Sequence, residues 1–237
     1  MTTIGLEIHV QLATQTKMFC ACSTAFGDEP NTHVCPVCLG LPGALPTLNS
    51  QAVHLAARLA MALGCDIQSV SEFSRKNYFY PDLPKAYQIT QFDRPLAIGG
   101  SVPIRTERGA GIVHLTRAHI EEDAGKSMHA ADIMHGGETL VDFNRCGVPL
   151  IEIVTAPDMH SSDEAYEFLR SLRRIVRWLG VSSGDMEKGA LRCDVNVSVS
   201  PDGGSRGTKV EVKNLNSFRS VKRAIDYEEQ RQMQCLG

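Results

Sequence analysis

Four of the eight cysteines fall within nineteen residues, in a spacing typical of metal binding. Cys20 and Cys22 form a C-x-C pair, and Cys35 and Cys38 follow as a C-x-x-C pair. Two such pairs let four thiolates surround one tetrahedral zinc ion. We therefore predict a structural Zn²⁺ site in a loop at about residues 18–41. Because four cysteines leave no open coordination position, the metal would hold the loop and do no chemistry.

Two other interpretations of these cysteines remain open. They could be free thiols, or Cys35 and Cys38 could form a thioredoxin-like redox pair, although no βαβ pattern surrounds them. His33 lies near enough to replace one ligand, but four cysteines make it unnecessary.

A second group of candidate ligands begins on the first strand. Residues 4–12 alternate, so that Glu7 and His9 share a polar face about 7 Å apart by the rise of a strand. This separation suits ligands of one hard cation or of two adjacent ones. A solvated strand face would show the same pattern.

Further along the chain, carboxylates occur where they are costly to bury. Glu121, Glu122 and Asp123 form an acidic run, and Glu152 interrupts the apolar strand PLIEIV. A buried carboxylate needs a partner or a metal. The alternative for Glu152 is a salt bridge to an arginine, either Arg145 or Arg192.

Acids and bases also share a predicted hairpin near the C-terminus. Asp194 and Arg192 lie on the polar face of residues 191–199, beside Lys209 and Lys213 of the next strand. Such a mixture fits a site where a metal holds phosphate oxygens and cations neutralise the remaining charge. Cross-strand ion pairs on a solvated hairpin would give the same sequence.

The elements that must position these residues are a mixture of strands and helices. Strands are predicted at residues 4–12, 111–116, 148–154, 191–199 and 208–215, with turns at 135–138 and 201–204. Helices are predicted from Asn49 or Ser50 to Gly64, from the capping box at Ser161 to Gly180, and onward from Ser217. Residues 73–95 lack a regular period and are predicted to form an ordered loop.

Composition and motifs exclude several classes of protein. Twenty-four Lys plus Arg against 27 Asp plus Glu give a net charge of -3, which excludes a basic nucleic-acid coat. No apolar run approaches the roughly 20 residues of a membrane span, and no leader pattern opens the chain, so we expect a cytoplasmic, unprocessed protein. P-loop, Rossmann and GxSxG motifs are absent from the sequence.

Several longer strings occur in an order that resembles one family. They are IGLEIHVQL, CPVCLGLPGALP, RKNYFYPDLPKAYQITQ, HIEEDAGKS, VDFNRCGVPLIEIV, GALRCDVNVSVS and KVEVKNLNSF. From Ile4 to about Glu229 the chain resembles the transamidase (B) subunit of the aspartyl/glutamyl-tRNA amidotransferases. The cysteines match the zinc-bearing branch of that family.

The resemblance implies an enzyme that works in a heterotrimer with an amidase (A) subunit and a small (C) subunit. The amidase partner supplies ammonia from glutamine. The transamidase partner uses ATP and Mg²⁺ to phosphorylate the side-chain carboxylate of misacylated Glu-tRNA(Gln) or Asp-tRNA(Asn), and ammonia displaces the phosphate.

The resemblance also implies roles for particular residues. Glu7, His9, Glu122 and Glu152 are the expected catalytic residues. A first Mg²⁺ is expected at His9, Glu122 and Glu152, and a second near Glu7, Glu121 and Asp194. The expected nucleotide-binding residues are Lys76, Asn77, Lys85, Arg192, Lys213, Ser217 and Phe218.

The implied fold is α+β, an antiparallel-rich sheet cradle similar to the glutamine synthetase and guanido kinase catalytic cores, with the four-cysteine zinc loop inserted. Residues 1–237 would form this catalytic cradle, truncated on its C-terminal side, without the helical and tRNA-binding tail domains of the family. The alternative from another class is a non-catalytic, zinc-stabilised scaffold that binds tRNA or a partner; a cysteine-based redox protein is a third.

Overall fold

The computed structural model describes residues 1–128, 139–201 and 206–236. The turn predicted at 135–138, and most of that at 201–204, lie outside them. The fold is α+β, with an antiparallel, sheet-rich architecture and three helices in the described part of the chain.

The main sheet has eight strands. Their bounds are β1 Thr2–Gln11, β2 Asp66–Ile67, β5 Ala97–Ile98, β6 Ser101–Thr106, β7 Gly109–Glu122, β10 Pro149–Thr155, β11 Leu191–Val199 and β12 Val210–Leu215. The order across the sheet is β12-β11-β1-β10-β7-β5-β2, and β6 pairs with the first half of β7. Two small sheets pair β3 (Ser74–Asn77) with β4 (Tyr87–Thr90) and β8 (Lys126–Met128) with β9 (Leu140–Asp142).

Helices cover one face of the main sheet. They are α1 Ser50–Ala62, α2 Ser162–Trp178 and α3 Phe218–Leu236. Their apolar residues, Phe168 and Leu172 of α2 among them, join Leu6 and Ile8 of β1 in one buried core. Because successive side chains of a strand point to opposite faces, the polar residues of β1 lie on the uncovered face.

Local sequence features explain where two of the helices begin. The side chain of Asn49 accepts a hydrogen bond from the backbone N–H of Gln51 at 3.0 Å and starts α1. Ser161 and Glu164 form the predicted capping box at the start of α2. Both predicted starts are confirmed.

The prediction of an irregular loop over residues 73–95 is wrong in part, because this segment contains the β3–β4 hairpin. The hairpin escapes hydrophobic patterning since Lys76 and its neighbours are exposed, whereas the residues that β4 buries, Gln88 and Thr90, are polar. These two side chains bind the end of β7: Gln88 donates to the carbonyl oxygen of Glu122 at 2.7 Å, and Thr90 donates to the carboxylate of Glu121 at 3.2 Å.

Candidate functional site

A row of polar residues crosses four neighbouring strands on the open face of the sheet. His9 of β1 lies opposite Arg192 of β11 on one side and Glu152 of β10 on the other, and Glu152 lies opposite His119 of β7. Glu121 lies two residues along β7 and therefore shares this face. Strand register thus brings together groups that are more than a hundred residues apart in the chain.

At the centre of the row, an imidazole sits between two carboxylates. The Nε2 atom of His9 lies 3.3 Å from Oε1 of Glu121 and 3.5 Å from Oε2 of Glu152. One ligand atom from each residue lies within 4.8 Å of the other two, so the three could hold a metal ion together. One nitrogen and two carboxylate oxygens are a donor set suited to a divalent cation.

The electrostatics of this cluster follow from burial and close pairing. Burial alone would lower the pKa of His9, but hydrogen bonds and charge attraction from Glu121 and Glu152 raise this pKa to about 10. Burial opposes ionisation of Glu152, yet His119 and His9 hold the pKa of that carboxyl below its ordinary value. The cluster is therefore a site of concentrated, paired charge.

His119 belongs to this row but is not among the site residues predicted from the sequence. Its side chain is buried, and its Nε2 lies 3.2 Å from Oε2 of Glu152, while its Nδ1 has no hydrogen-bond partner within the described structure. The alternation of β7 could have identified it, because His119 precedes Glu121 by two residues and must share its face.

The arginines that were the alternative partners of Glu152 bind Asp123 instead. Arg192 donates to Oδ1 of Asp123 at 2.8 Å, and Arg145 lies 3.6 Å from Oδ2. Burial would raise the pKa of Asp123, but attraction from both guanidinium groups lowers it overall. Glu152 pairs with histidines, so the proposed arginine salt bridge is absent from the described structure.

Glu122 lies apart from the other residues expected to hold the first metal. It follows Glu121 on β7, so its side chain points to the other side of the strand, where its carboxylate pairs with Lys85 and accepts the N–H of Ile89 at 2.9 Å. Glu122 and Lys85 line a separate cavity of about 100 Å³ beside Cys38. Burial raises the pKa of Glu122, and pairing with Lys85 only partly offsets this effect. The structure therefore assembles His9, Glu121 and Glu152, not His9, Glu122 and Glu152.

The main cavity lies over the polar row and has a volume of about 1150 Å³. Its floor contains the buried acids Glu121 and Asp123, and exposed cations such as Arg75 and Lys188 lie around its rim. Acids at the floor of the cavity suit a divalent cation, and cations at its rim suit phosphate oxygens. The cavity therefore suits a ligand that combines the two.

Some of the remaining expected metal ligands and nucleotide-binding residues line the main cavity, and others lie elsewhere. The cavity is lined by Glu7, Lys76, Arg192, Asp194 and Lys213. Glu7 accepts from the side chain of Asn196 at 3.1 Å, and Lys213 lies 3.6 Å from Asp194. These acids lie outside the three-residue cluster.

Four expected nucleotide-binding residues are not part of the main cavity's lining: Lys85, which lines the smaller cavity, and Asn77, Ser217 and Phe218. Asn77 is exposed at the end of β3. The Ser217 hydroxyl accepts the N–H of Ser220 at 3.0 Å and caps α3, while the Phe218 ring packs edge-on against Tyr166 of α2 at 6.2 Å. The Phe218 ring thus faces the helical layer and Ser217 bonds within its own helix; their role in nucleotide binding stays a prediction.

The four-cysteine cluster forms as the spacing predicted. The sulfur atoms of Cys20, Cys22, Cys35 and Cys38 lie within 4.8 Å of one another and could hold a metal ion, consistent with structural zinc. The backbone N–H of Cys35 points at the sulfur of Cys38 at 3.2 Å. Convergence of all four sulfurs favours a metal over a redox pair at Cys35 and Cys38 alone.

The environments of the four thiols differ. A hydrogen bond with Cys20 lowers the pKa of Cys38 to about 4 although burial opposes this shift, whereas burial raises the pKa of Cys22 to about 11. His33 is not part of the cluster, because its ring pairs with Asp28 at 3.0 Å. The tip of the same loop, residues 24–28, forms one wall of the main cavity.

Together, the fold and the site define an α+β domain with a candidate cation site on the open face of an antiparallel sheet. No helix among the described residues is both long and apolar enough to cross a membrane.

Comparison with known proteins places this domain in a family. The model of the GatB/GatE catalytic domain matches residues 2–236, and the chain belongs to that family. Three similar relatives are named as the B subunit of an aspartyl/glutamyl-tRNA(Asn/Gln) amidotransferase. Those of Anaeromyxobacter sp. (strain Fw109-5) and Roseiflexus sp. (strain RS-1) are 56% identical over 98% and 100% of this chain, and that of Moorella thermoacetica is 55% identical over 98%. The chain spans about half the length of these relatives, between 48% and 49%.

Proposed function

We propose that this chain is the catalytic part of a tRNA-dependent amidotransferase, working with an amidase (A) subunit and a small (C) subunit. Its reaction would be the ATP- and Mg²⁺-dependent activation of the side-chain carboxylate of misacylated Glu-tRNA(Gln) or Asp-tRNA(Asn), followed by amidation with ammonia from the amidase partner. The observation that supports this most strongly is the His9, Glu121 and Glu152 cluster at the floor of the cavity, in a chain of this family.

Within this proposal, His9, Glu121 and Glu152 bind a first divalent cation, and Glu7 with Asp194 lies where a second could bind. Bound ATP and Mg²⁺ would supply the phosphoryl group and neutralise its charge during in-line transfer to the carboxylate. No covalent enzyme intermediate is needed.

The chain's cations would act on the phosphates. Lys76 and Lys213 are exposed at the cavity, so their long side chains can turn toward phosphate oxygens, while Arg192 is held in place by Asp123 at 2.8 Å. His119 would hold Glu152 in position through its 3.2 Å contact. We further propose that the sheet is a cradle of the glutamine synthetase and guanido kinase type, and that residues 1–237 form one catalytic domain.

The test is Glu152→Gln in the full-length protein, assembled with its partners. We expect ATP-dependent amidation to fall by about 100-fold or more, because one of three ligands of the cation that neutralises the phosphoryl charge is lost, while the fold is retained. Mg²⁺-dependent ATP binding, measured by calorimetry, should weaken in parallel. The matched control is Glu167→Gln, which changes a carboxylate of α2 that pairs with Arg170 on the helical side.

The same experiment separates catalysis from a scaffold function. A zinc-stabilised scaffold has no use for paired acids at the floor of a cavity, so it would keep its partner binding and its contribution to activity when Glu152 is replaced. Full amidation by the Glu152→Gln variant would therefore reject the catalytic assignment.

A further inference from the structure

Lys17 is a fully buried lysine next to the cysteine cluster. Its side chain is 0% exposed, and its Nζ lies 3.7 Å from the sulfur of Cys38. The same ammonium donates to the carbonyl oxygens of His33 at 2.6 Å and of Phe143 at 3.2 Å. Neither carbonyl carries a formal charge, so the sulfur of Cys38 is the one group in this set that can.

A buried ammonium is costly unless an anion accompanies it. Lys85 illustrates the usual solution, since its partner is the carboxylate of Glu122. Lys17 forms no ion pair with a carboxylate in the part of the chain that the structure describes. Among the groups within hydrogen-bond reach of the Lys17 ammonium, only the sulfur of Cys38 can supply negative charge.

The cysteine cluster can supply that charge when it binds a metal. Four thiolates around a divalent cation carry a net charge of -2, in a loop where Cys38 is buried. We propose that Lys17 is a built-in counter-cation of the four-cysteine site, which strengthens binding of a divalent, thiophilic metal by neutralising part of this charge. Lys17 is thus a positioning residue for the metal site, and the proposal does not depend on the amidation chemistry.

The contacts of Lys17 also connect the metal loop to the rest of the domain. Its bond to the carbonyl of Phe143 reaches a turn in which Gly147 donates its N–H to the carbonyl of Asp123 at 2.8 Å. Met18, the next residue after Lys17, donates to the carbonyl of Gly147 at 2.8 Å. The charge of Lys17 is therefore placed where the cysteine loop meets the end of β7.

The test compares Lys17→Met with the unchanged full-length protein in its complex. Zinc transfer to a chromogenic chelator measures metal affinity, and we expect the variant to bind zinc about 10–100-fold more weakly, the effect usual for residues that support metal ligands. Lys222→Met is the matched control, because Lys222 is a surface lysine of α3 that pairs with Asp163. Unchanged zinc affinity in Lys17→Met would overturn the proposal.

A second measurement distinguishes charge compensation from simple packing. Thermal midpoints are compared for the zinc-loaded and zinc-stripped forms of each protein. A counter-cation matters most when the charged metal site is complete, so Lys17→Met should lower the midpoint of the loaded form more than that of the stripped form. Equal losses in both forms would show a purely structural lysine and overturn the proposal. If Lys17→Met does not fold, Lys17→Gln removes the charge while keeping a donor for the two carbonyls, and is judged by the same criteria.

Discussion

Glu121 and Glu122 are neighbours in sequence whose side chains lie on opposite faces of β7, and exchanging each for glutamine tests whether they have different roles. Glu121 faces His9 in the cavity, and Glu122 faces Lys85 on the other side of β7. We predict that Glu121→Gln weakens divalent-cation binding with little effect on stability, and that Glu122→Gln lowers stability with little effect on cation binding.

The loss of unfolding free energy expected for Glu122→Gln follows from the burial of the Glu122 side chain. The side chains of Glu122 and Lys85 are 3% and 5% exposed, and removing one partner of a buried ion pair costs about 3–5 kcal/mol. The lower end applies here, because glutamine can still accept the N–H of Ile89 and the ring of Tyr87 lies 5.2 Å from the Lys85 ammonium. A loss of about 3 kcal/mol corresponds to a fall of roughly 6–12 °C in melting temperature for a domain of this size.

Glu121→Gln should behave in the opposite way. It removes one of three candidate cation ligands, so affinity for Mg²⁺ or Mn²⁺ should fall by at least about 10-fold. Its effect on stability should be small, because His9 keeps its contact with Glu152 at 3.5 Å. Calorimetric titration with Mn²⁺ and thermal unfolding of the full-length protein measure the two effects. If Glu122→Gln lost cation affinity as strongly as Glu121→Gln, the assignment of the two faces would be refuted.

Two further predictions concern the metal loop and α3. Removing zinc with a strong chelator should weaken ATP binding, since residues 24–28 of the metal loop form a wall of the main cavity. ATP affinity is measured by calorimetry before chelation, after chelation and after zinc is restored. Unchanged affinity would mean that this wall keeps its structure without the metal. In α3, a hydrogen bond from Arg231 lowers the pKa of Glu228 although burial opposes it. The stabilisation of the fold by the ionised Glu228 is complete above the ordinary glutamate pKa of about 4.3. It is lost as pH falls through the lower pKa that Glu228 has in the folded protein. Glu228→Gln should therefore cost about 0.5 kcal/mol at pH 7 and progressively less as pH falls below the ordinary glutamate pKa, as urea unfolding at a series of pH values would show.

Much of the site could be predicted from the sequence, because its features are local. The cysteine spacing predicted a cluster that the fold assembles, and alternation along β1 predicted that Glu7 and His9 share a polar face. Both inferences depend on the period of a strand or on the length of a short loop. The helix starts at Asn49 and Ser161 could also be predicted from local sequence, because each capping side chain bonds within the first turn of its own helix.

Tertiary structure alone decided which side chains meet. Whether Glu121 or Glu122 joins His9 depends on which face of β7 is turned toward the open side of the sheet, and Glu152 meets His119 rather than an arginine because of the strand order β1-β10-β7. Phe218 packs on the helices for a similar reason, since α3 begins just where the chain leaves β12. A strand's sequence determines its two faces, but pairing between distant strands, set by packing of the whole core, determines their partners.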